Sequence, residues 1–77
     1  MKIIGYALCL DNAEYEMSLD VRKIYPIIEP HENDNVEGFI RIVDESGEDY
    51  LYADKRFAVI DLSPQIEKEL QKSLALT

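Results

Sequence analysis

Phe39-Ile40-Arg41-Ile42-Val43-Asp44-Glu45-Ser46-Gly47-Glu48-Asp49-Tyr50-Leu51-Tyr52 reads as one β-hairpin. Two runs rich in β-branched and aromatic residues flank Asp-Glu-Ser-Gly. Asp44 supplies the side-chain acceptor that a type I turn favours, and Gly47 the positive φ that closes it. This spacing predicts a three-residue loop with a G1 bulge at Gly47. Setting Asp44 opposite Glu48 pairs Ile42 with Tyr50 and Ile40 with Tyr52 on one apolar face. The other face mixes Arg41, Val43, Asp49 and Leu51.

Upstream of the hairpin, Ile3 to Leu10 alternates Ile4, Tyr6, Leu8 and Leu10 with Ile3, Gly5, Ala7 and Cys9. Apolar residues on both sides predict a strand buried on both, with Gly5 marking a bend, a bulge or a close backbone approach. Asp11 to Ser18 is polar without a clean period and is expected to be a loop. Leu19 to Ile28 reads as a second strand with Leu19, Val21, Lys23, Tyr25 and Ile27 toward the core. Pro26 lacks an amide donor and predicts an edge position or a break. Glu29 to Glu37 is acidic and rich in turn formers, as in a mobile surface loop.

Downstream, Ala53-Asp54-Lys55-Arg56 has the length of a tight turn or one turn of 3₁₀ helix. It leads to a last short strand carrying Phe57, Val59 and Leu62. Ser63-Pro64-Gln65-Ile66-Glu67 then opens a helix: Ser63 caps it, Pro64 takes the first helical position, and Glu67 lies near the positive end of the dipole. The helix is expected to run from Pro64 to about Ser73, with Ile66, Leu70 and Leu74 in one narrow stripe. That stripe either closes one end of the core or docks elsewhere, and the small core favours closure.

The chain has 77 residues, 47% of them hydrophobic, which predicts one globular domain whose large apolar side chains are mostly consumed by packing. Ile3 to Leu10 is too short to span a bilayer. As a signal peptide it lacks a small-residue cleavage region, because Asp11-Asn12-Ala13-Glu14 follows. Cys9 stands alone, so no internal disulfide can form, and a cytoplasmic location is expected. An apolar strand with no basic neighbour predicts a buried, inert thiol there rather than a nucleophile.

The formal net charge is −8, and the cations are scattered, which weighs against direct binding to nucleic acid or anionic membranes. Contact with a basic protein remains open. Asp44, Glu45, Glu48 and Asp49 crowd one turn and offer hard oxygen ligands to a divalent cation, but a hairpin sends alternate side chains to opposite faces. His31 is the only histidine and reads as a surface residue. The three glycines stand apart, so no phosphate loop exists, and no nucleophile–base pair is evident; neither an enzyme nor a cofactor is expected. The tyrosines are more suggestive, because aromatic grooves lined by acidic residues grip basic, proline-rich ligands.

Leu19-x-Val21-x-Lys23-x-Tyr25, followed by Ile40 to Tyr52 and Phe57, resembles small bacterial and phage-type proteins with an SH3-like barrel. The resemblance spans Ala7 to Leu62. It departs at Arg22, where the family pattern has glycine, so a different turn before Lys23 is expected. The family carries no settled biochemical function, and the resemblance implies a fold without a chemistry. Together these readings predict a mainly β, single-domain chain: a small SH3-like antiparallel barrel of four or five strands over about residues 3–62, with a short C-terminal helix. The expected role is a non-catalytic interaction module, monomeric or weakly dimeric, that contacts a protein or peptide through Tyr15, Tyr25, Tyr52, Glu45, Glu48 and Asp49. The alternatives are a divalent-cation site at the hairpin turn, or an acidic mimic that occupies the basic surface of a nucleic-acid-binding protein.

Overall fold

Five antiparallel strands precede one helix: β1 (Ile3–Cys9), β2 (Ile24–Ile28), β3 (Phe39–Val43), β4 (Asp49–Ala53), β5 (Phe57–Ile60) and α1 (Pro64–Ala75). This computed structural model describes residues 2–34 and 37–75. The strands form one sheet in the order β4-β3-β2-β1-β5. A single 3₁₀ turn, Asp54–Arg56, joins β4 to β5.

That short link dictates the shape. Laid flat, the two edge strands of a five-stranded sheet lie about 19 Å apart. The backbone from Ala53 to Phe57 reaches at most about 14 Å. The sheet must therefore roll, bringing Tyr52 and Phe57 together with ring centroids 6.1 Å apart. The expected barrel is nonetheless left open, because no ladder joins β4 to β5 and the 3₁₀ turn spans the seam instead.

Inside the roll sit Ala7, Cys9, Leu19, Tyr25, Ile27, Ile42, Tyr52 and Phe57, with Ile40 packed against them. The hairpin carries the predicted register, Ile42 opposite Tyr50 and Ile40 opposite Tyr52. Its turn is the predicted one: the Gly47 amide donates to Asp44 O (3.0 Å), the Asp44 amide donates to Glu48 O (3.1 Å), and Gly47 takes φ 85°.

Other expectations need correction. The second strand begins at Ile24 rather than Leu19, because Asp20–Lys23 folds as a turn. In it Arg22 adopts φ 68° and donates its amide to Cys9 O (2.7 Å). Arginine thus occupies a left-handed position in this turn without a glycine's freedom. Leu19 still reaches the core, from a loop, while Val21 and Lys23, expected on the core side, are exposed because they lie in the turn. Pro26 lies in the central strand, buried opposite Tyr6, not at an edge. It is tolerated because β2 pairs with β3 only through Ile27 and Ile28, so the missing donor falls beyond that ladder.

In β1, Ile4 is a bulged residue between the Ile3–Ile28 and Gly5–Ile27 pairs, which puts the irregularity beside Gly5. Ala7 and Cys9 face the core and Tyr6 is buried on the opposite face, but Ile4 and Leu10 are exposed. The Tyr6 hydroxyl is buried without a hydrogen-bond partner among the described residues.

The Glu29–Glu37 loop is pinned where it is described. Arg41 Nη2 donates to Asp34 Oδ1 (3.0 Å), and the His31 amide donates to Asp34 Oδ2 (2.9 Å). Asn35 and Val36 fall outside the described residues. Leu62 lies beyond β5, which ends at Ile60.

The helix starts as predicted, with the Ile66 amide donating to Ser63 Oγ (3.3 Å). Of its stripe, Ile66 is 50% exposed and Leu70 half-buried, and α1 has no extensive packing against any strand among the described residues. The Leu74 side chain lies outside them.

Candidate functional site

Two loops and the hairpin meet at one end of the roll. The Asp11–Lys23 loop is stitched to the rest by backbone bonds from Glu45 N to Ser18 O (2.9 Å) and from Asp11 N to Arg56 O (3.3 Å). Asn12 Nδ2 donates to Leu19 O (2.9 Å) across the same loop. This stitching holds Tyr15 edge-on against Tyr52, with ring centroids 5.1 Å apart. On its other side Tyr15 meets the Arg56 guanidinium, 4.9 Å from the ring centroid.

Tyr15, Ser18, Asp44, Ser46, Tyr50 and Tyr52 enclose a hollow of about 390 Å³, with Leu51 at its margin. Tyr15 and Tyr50 are 42% and 48% exposed; Tyr50 offers its ring to a ligand, whereas the Tyr15 ring already carries the Arg56 guanidinium and offers only what that contact leaves open. The hydroxyl of Tyr50 donates to Glu48 Oε2 (3.0 Å), which sets a carboxylate at the rim.

Buried Asp44 organises the floor. It accepts the amide (2.9 Å) and the hydroxyl of Ser46 on Oδ1, and the Tyr52 hydroxyl on Oδ2 (2.6 Å). Burial first, and then the bond to Asp44, push the Tyr52 phenol up to about 12.

The predicted contact residues divide among three environments. Tyr15, Tyr52 and Glu48 belong to the hollow or its rim, although Tyr52 itself is buried. Tyr25 is a core residue, only 3% exposed. Its hydroxyl accepts from the Asp20 amide (2.7 Å) and donates to Glu45 Oε2 (2.6 Å), where Lys23 Nζ also binds (2.6 Å). Burial and then the Glu45 bond hold the Tyr25 phenol far above its ordinary value. Lys23 first, and then Tyr25, draw the Glu45 carboxyl below its usual range.

Asp49 lies across the sheet from the hollow. There it accepts from Arg41 Nη1 (3.1 Å) and meets His31 Nε2 at 3.2 Å. The hairpin carboxylates therefore diverge, and among the described residues no three His, Cys, Asp or Glu side chains are placed to share a cation. Cys9 is buried, and that burial chiefly raises its thiol pKa.

Of the residues lining the hollow, Ser18, Asp44, Ser46, Tyr50 and Leu51 are not among the predicted contact residues, although Tyr50 belongs to the tyrosines from which a groove is expected. Tyr50 was legible as an exposed end of the Ile42–Tyr50 pair, since the strand period places it beside Tyr52. Ser18 reaches the hollow only through the loop's tertiary stitching, which leaves no local signal.

On the far face, Ile4, Phe39 and Leu51 border a second, smaller hollow of about 240 Å³, with Ile28, Pro30 and Arg41 beneath. Compared with known proteins, the chain matches no family model, no curated sequence and no solved structure.

Proposed function

We propose that this chain is a non-catalytic protein-interaction module that grips a basic protein or peptide segment at the tyrosine hollow. One observation carries the reading: Tyr15 and Tyr50 present exposed rings around a hollow floored by Tyr52, with the Glu48 carboxylate at its rim. Aromatic faces and hydroxyls beside a carboxylate suit lysine and arginine side chains, through cation–π contact and charge-assisted hydrogen bonds. The net charge of −8 favours such a partner at long range. A cation site at the hairpin is the weaker reading, since its carboxylates point apart and Asp44 already holds three donors.

The membership we propose is in the small SH3-like proteins. The strand order, the 3₁₀ link before β5 and the left-handed backbone at Arg22, where the family pattern has glycine, support it. A reducing, cytoplasmic location fits the lone buried Cys9. Affinity capture with the native chain beside a Tyr15→Ala, Tyr50→Ala double variant tests the contact surface. The expected result is a set of basic partners, eluted by salt and lost with the double variant. Partners retained equally by both chains sink the hollow as the contact surface.

A further inference from the structure

The edge of β4 has unpaired backbone. In an antiparallel ladder, residues whose amides and carbonyls face the neighbour alternate with residues that face away. The Asp44–Glu48 bond at one end and the Asp54 amide donating to Gly38 O (2.8 Å) at the other fix that alternation. Tyr50 and Tyr52 face β3, so Asp49 and Leu51 direct their N–H and C=O groups outward, and Ala53 directs its N–H outward. β4 ends the sheet, and no described residue hydrogen-bonds to the outward groups of Asp49 and Leu51 or to the Ala53 amide, whereas the Ala53 carbonyl caps the 3₁₀ turn and accepts its first bond. Of the usual protections of an exposed edge, Asp49–Ala53 carries only the charge of Asp49, which is paired with Arg41 and His31, and has no proline, lysine or bulge.

Both flanks of this edge are shaped. Leu51 borders the tyrosine hollow on one side and the Ile4–Phe39 hollow on the other. A strand laid along β4 sends alternate side chains to those two hollows. We propose that β4 receives an extended segment of a basic partner as an added strand, its lysines or arginines entering the tyrosine hollow and its alternate apolar residues the Ile4–Phe39–Leu51 hollow. This inference rests on the reading of the tyrosine hollow as a contact surface and names how the partner engages it.

Charge selects the occupant. Glu48 is exposed at the rim, while the nearby cations Lys23, Arg41 and Arg56 are tied to Glu45, to Asp34 and Asp49, and to Asp11 respectively. A second copy of the chain is disfavoured. The register that pairs Asp49 with Ala53 and Leu51 with itself sets Glu48 opposite Asp54 at both ends, like charge against like.

An acetylated, amidated Lys-Val-Lys-Val-Lys-Val peptide titrated into the full chain, followed by amide NMR and hydrogen exchange, tests the proposal. Saturable binding is expected to slow exchange at the Leu51 and Ala53 amides by about tenfold or more and to leave Tyr50 and Tyr52 unchanged. Methylating the peptide's amides on one alternation should weaken binding about tenfold, and on the other hardly at all. Leu51→Pro removes an outward donor that β3 does not use, so it should abolish binding without unfolding the chain. Should that variant fail to fold, the methylated peptides on the native chain decide the matter.

Absence of binding overturns the proposal, as does equal weakening by both methylation patterns. Shifts confined to Tyr15, Tyr50 and Tyr52, with Leu51 exchange unaltered, overturn strand addition and leave the hollow standing as a groove. Protection of Leu51 without peptide, together with a dimeric sedimentation profile, assigns the edge to a second copy and overturns it too.

Discussion

At Arg22 a side chain sits on a backbone of φ 68°, the left-handed region that L-residues enter at a cost. Gly47, at φ 85°, holds similar backbone without that cost, and a Cβ there meets nothing within 4 Å. Opposite substitutions should therefore have opposite signs in thermal melts. Gly47→Ala is expected to destabilise by about 1 kcal/mol through backbone strain alone, and Arg22→Gly to stabilise by about 0.5 kcal/mol after unfolded-state entropy is subtracted. Tyr6→Phe removes a buried hydroxyl that has no partner among the described residues, so stability should hold or rise, by at most about 1 kcal/mol.

Tyr52 makes a pH prediction. Its phenol rises from 10.0 unfolded to about 12 folded, so the folded chain keeps its proton longer than the unfolded chain. The associated stability is complete below pH 10.0 and drains away as the pH climbs toward about 12. Chemical denaturation across that window should show the midpoint falling, and Tyr52→Phe should flatten the fall.

Among the elements, the hairpin was the most legible, because its register follows from a local turn whose residues each have a stereochemical reason. The start of α1 was legible for the same cause, Ser63 and Pro64 being sufficient. β2 was misread at both levels, since Leu19 and Val21 continue the alternation through what is a turn. Only the backbone bond from Arg22 to Cys9, a contact with β1, shows where the strand begins. The helix stripe was legible as a stripe but not by its placement, which depends on what the roll leaves uncovered. Ile66→Ser should accordingly change stability by no more than about 0.5 kcal/mol, whereas Ile42→Ala, at a position 0% exposed, should cost about 2–5 kcal/mol. Urea midpoints of the two variants supply the comparison.

For the molecule as a whole, the sequence pointed to an acidic β domain, and to Tyr15, Tyr52 and Glu48 as neighbours. It did not separate Asp49 and Tyr25 from them. Asp49 belongs to the opposite face by strand period alone, but Tyr25 is removed from the surface by the curl of the sheet, a property no short stretch encodes. The same curl brings distant charges together, with consequences at acid pH. Lys23 beside Glu45 and Arg41 beside Asp34 each draw a carboxyl below its ordinary value. A depressed folded value means that stability is complete above the unfolded value of 4.5 for Glu45 and is lost as the pH falls through the folded one. Circular dichroism against pH should show acid unfolding beginning below that point, and Glu45→Gln together with Asp34→Asn should make the curve shallower.

The seam bridged by Asp54–Arg56 also sets the order in which the chain assembles. The hairpin closes over a few residues, a microsecond event, whereas the pairs Cys9–Phe57 and Tyr6–Ile60 join positions near opposite ends of the sequence. Loop-closure entropy makes β1–β5 the last ladder to zip, so the rate of folding is governed by the first and last strands finding each other around an already formed hairpin.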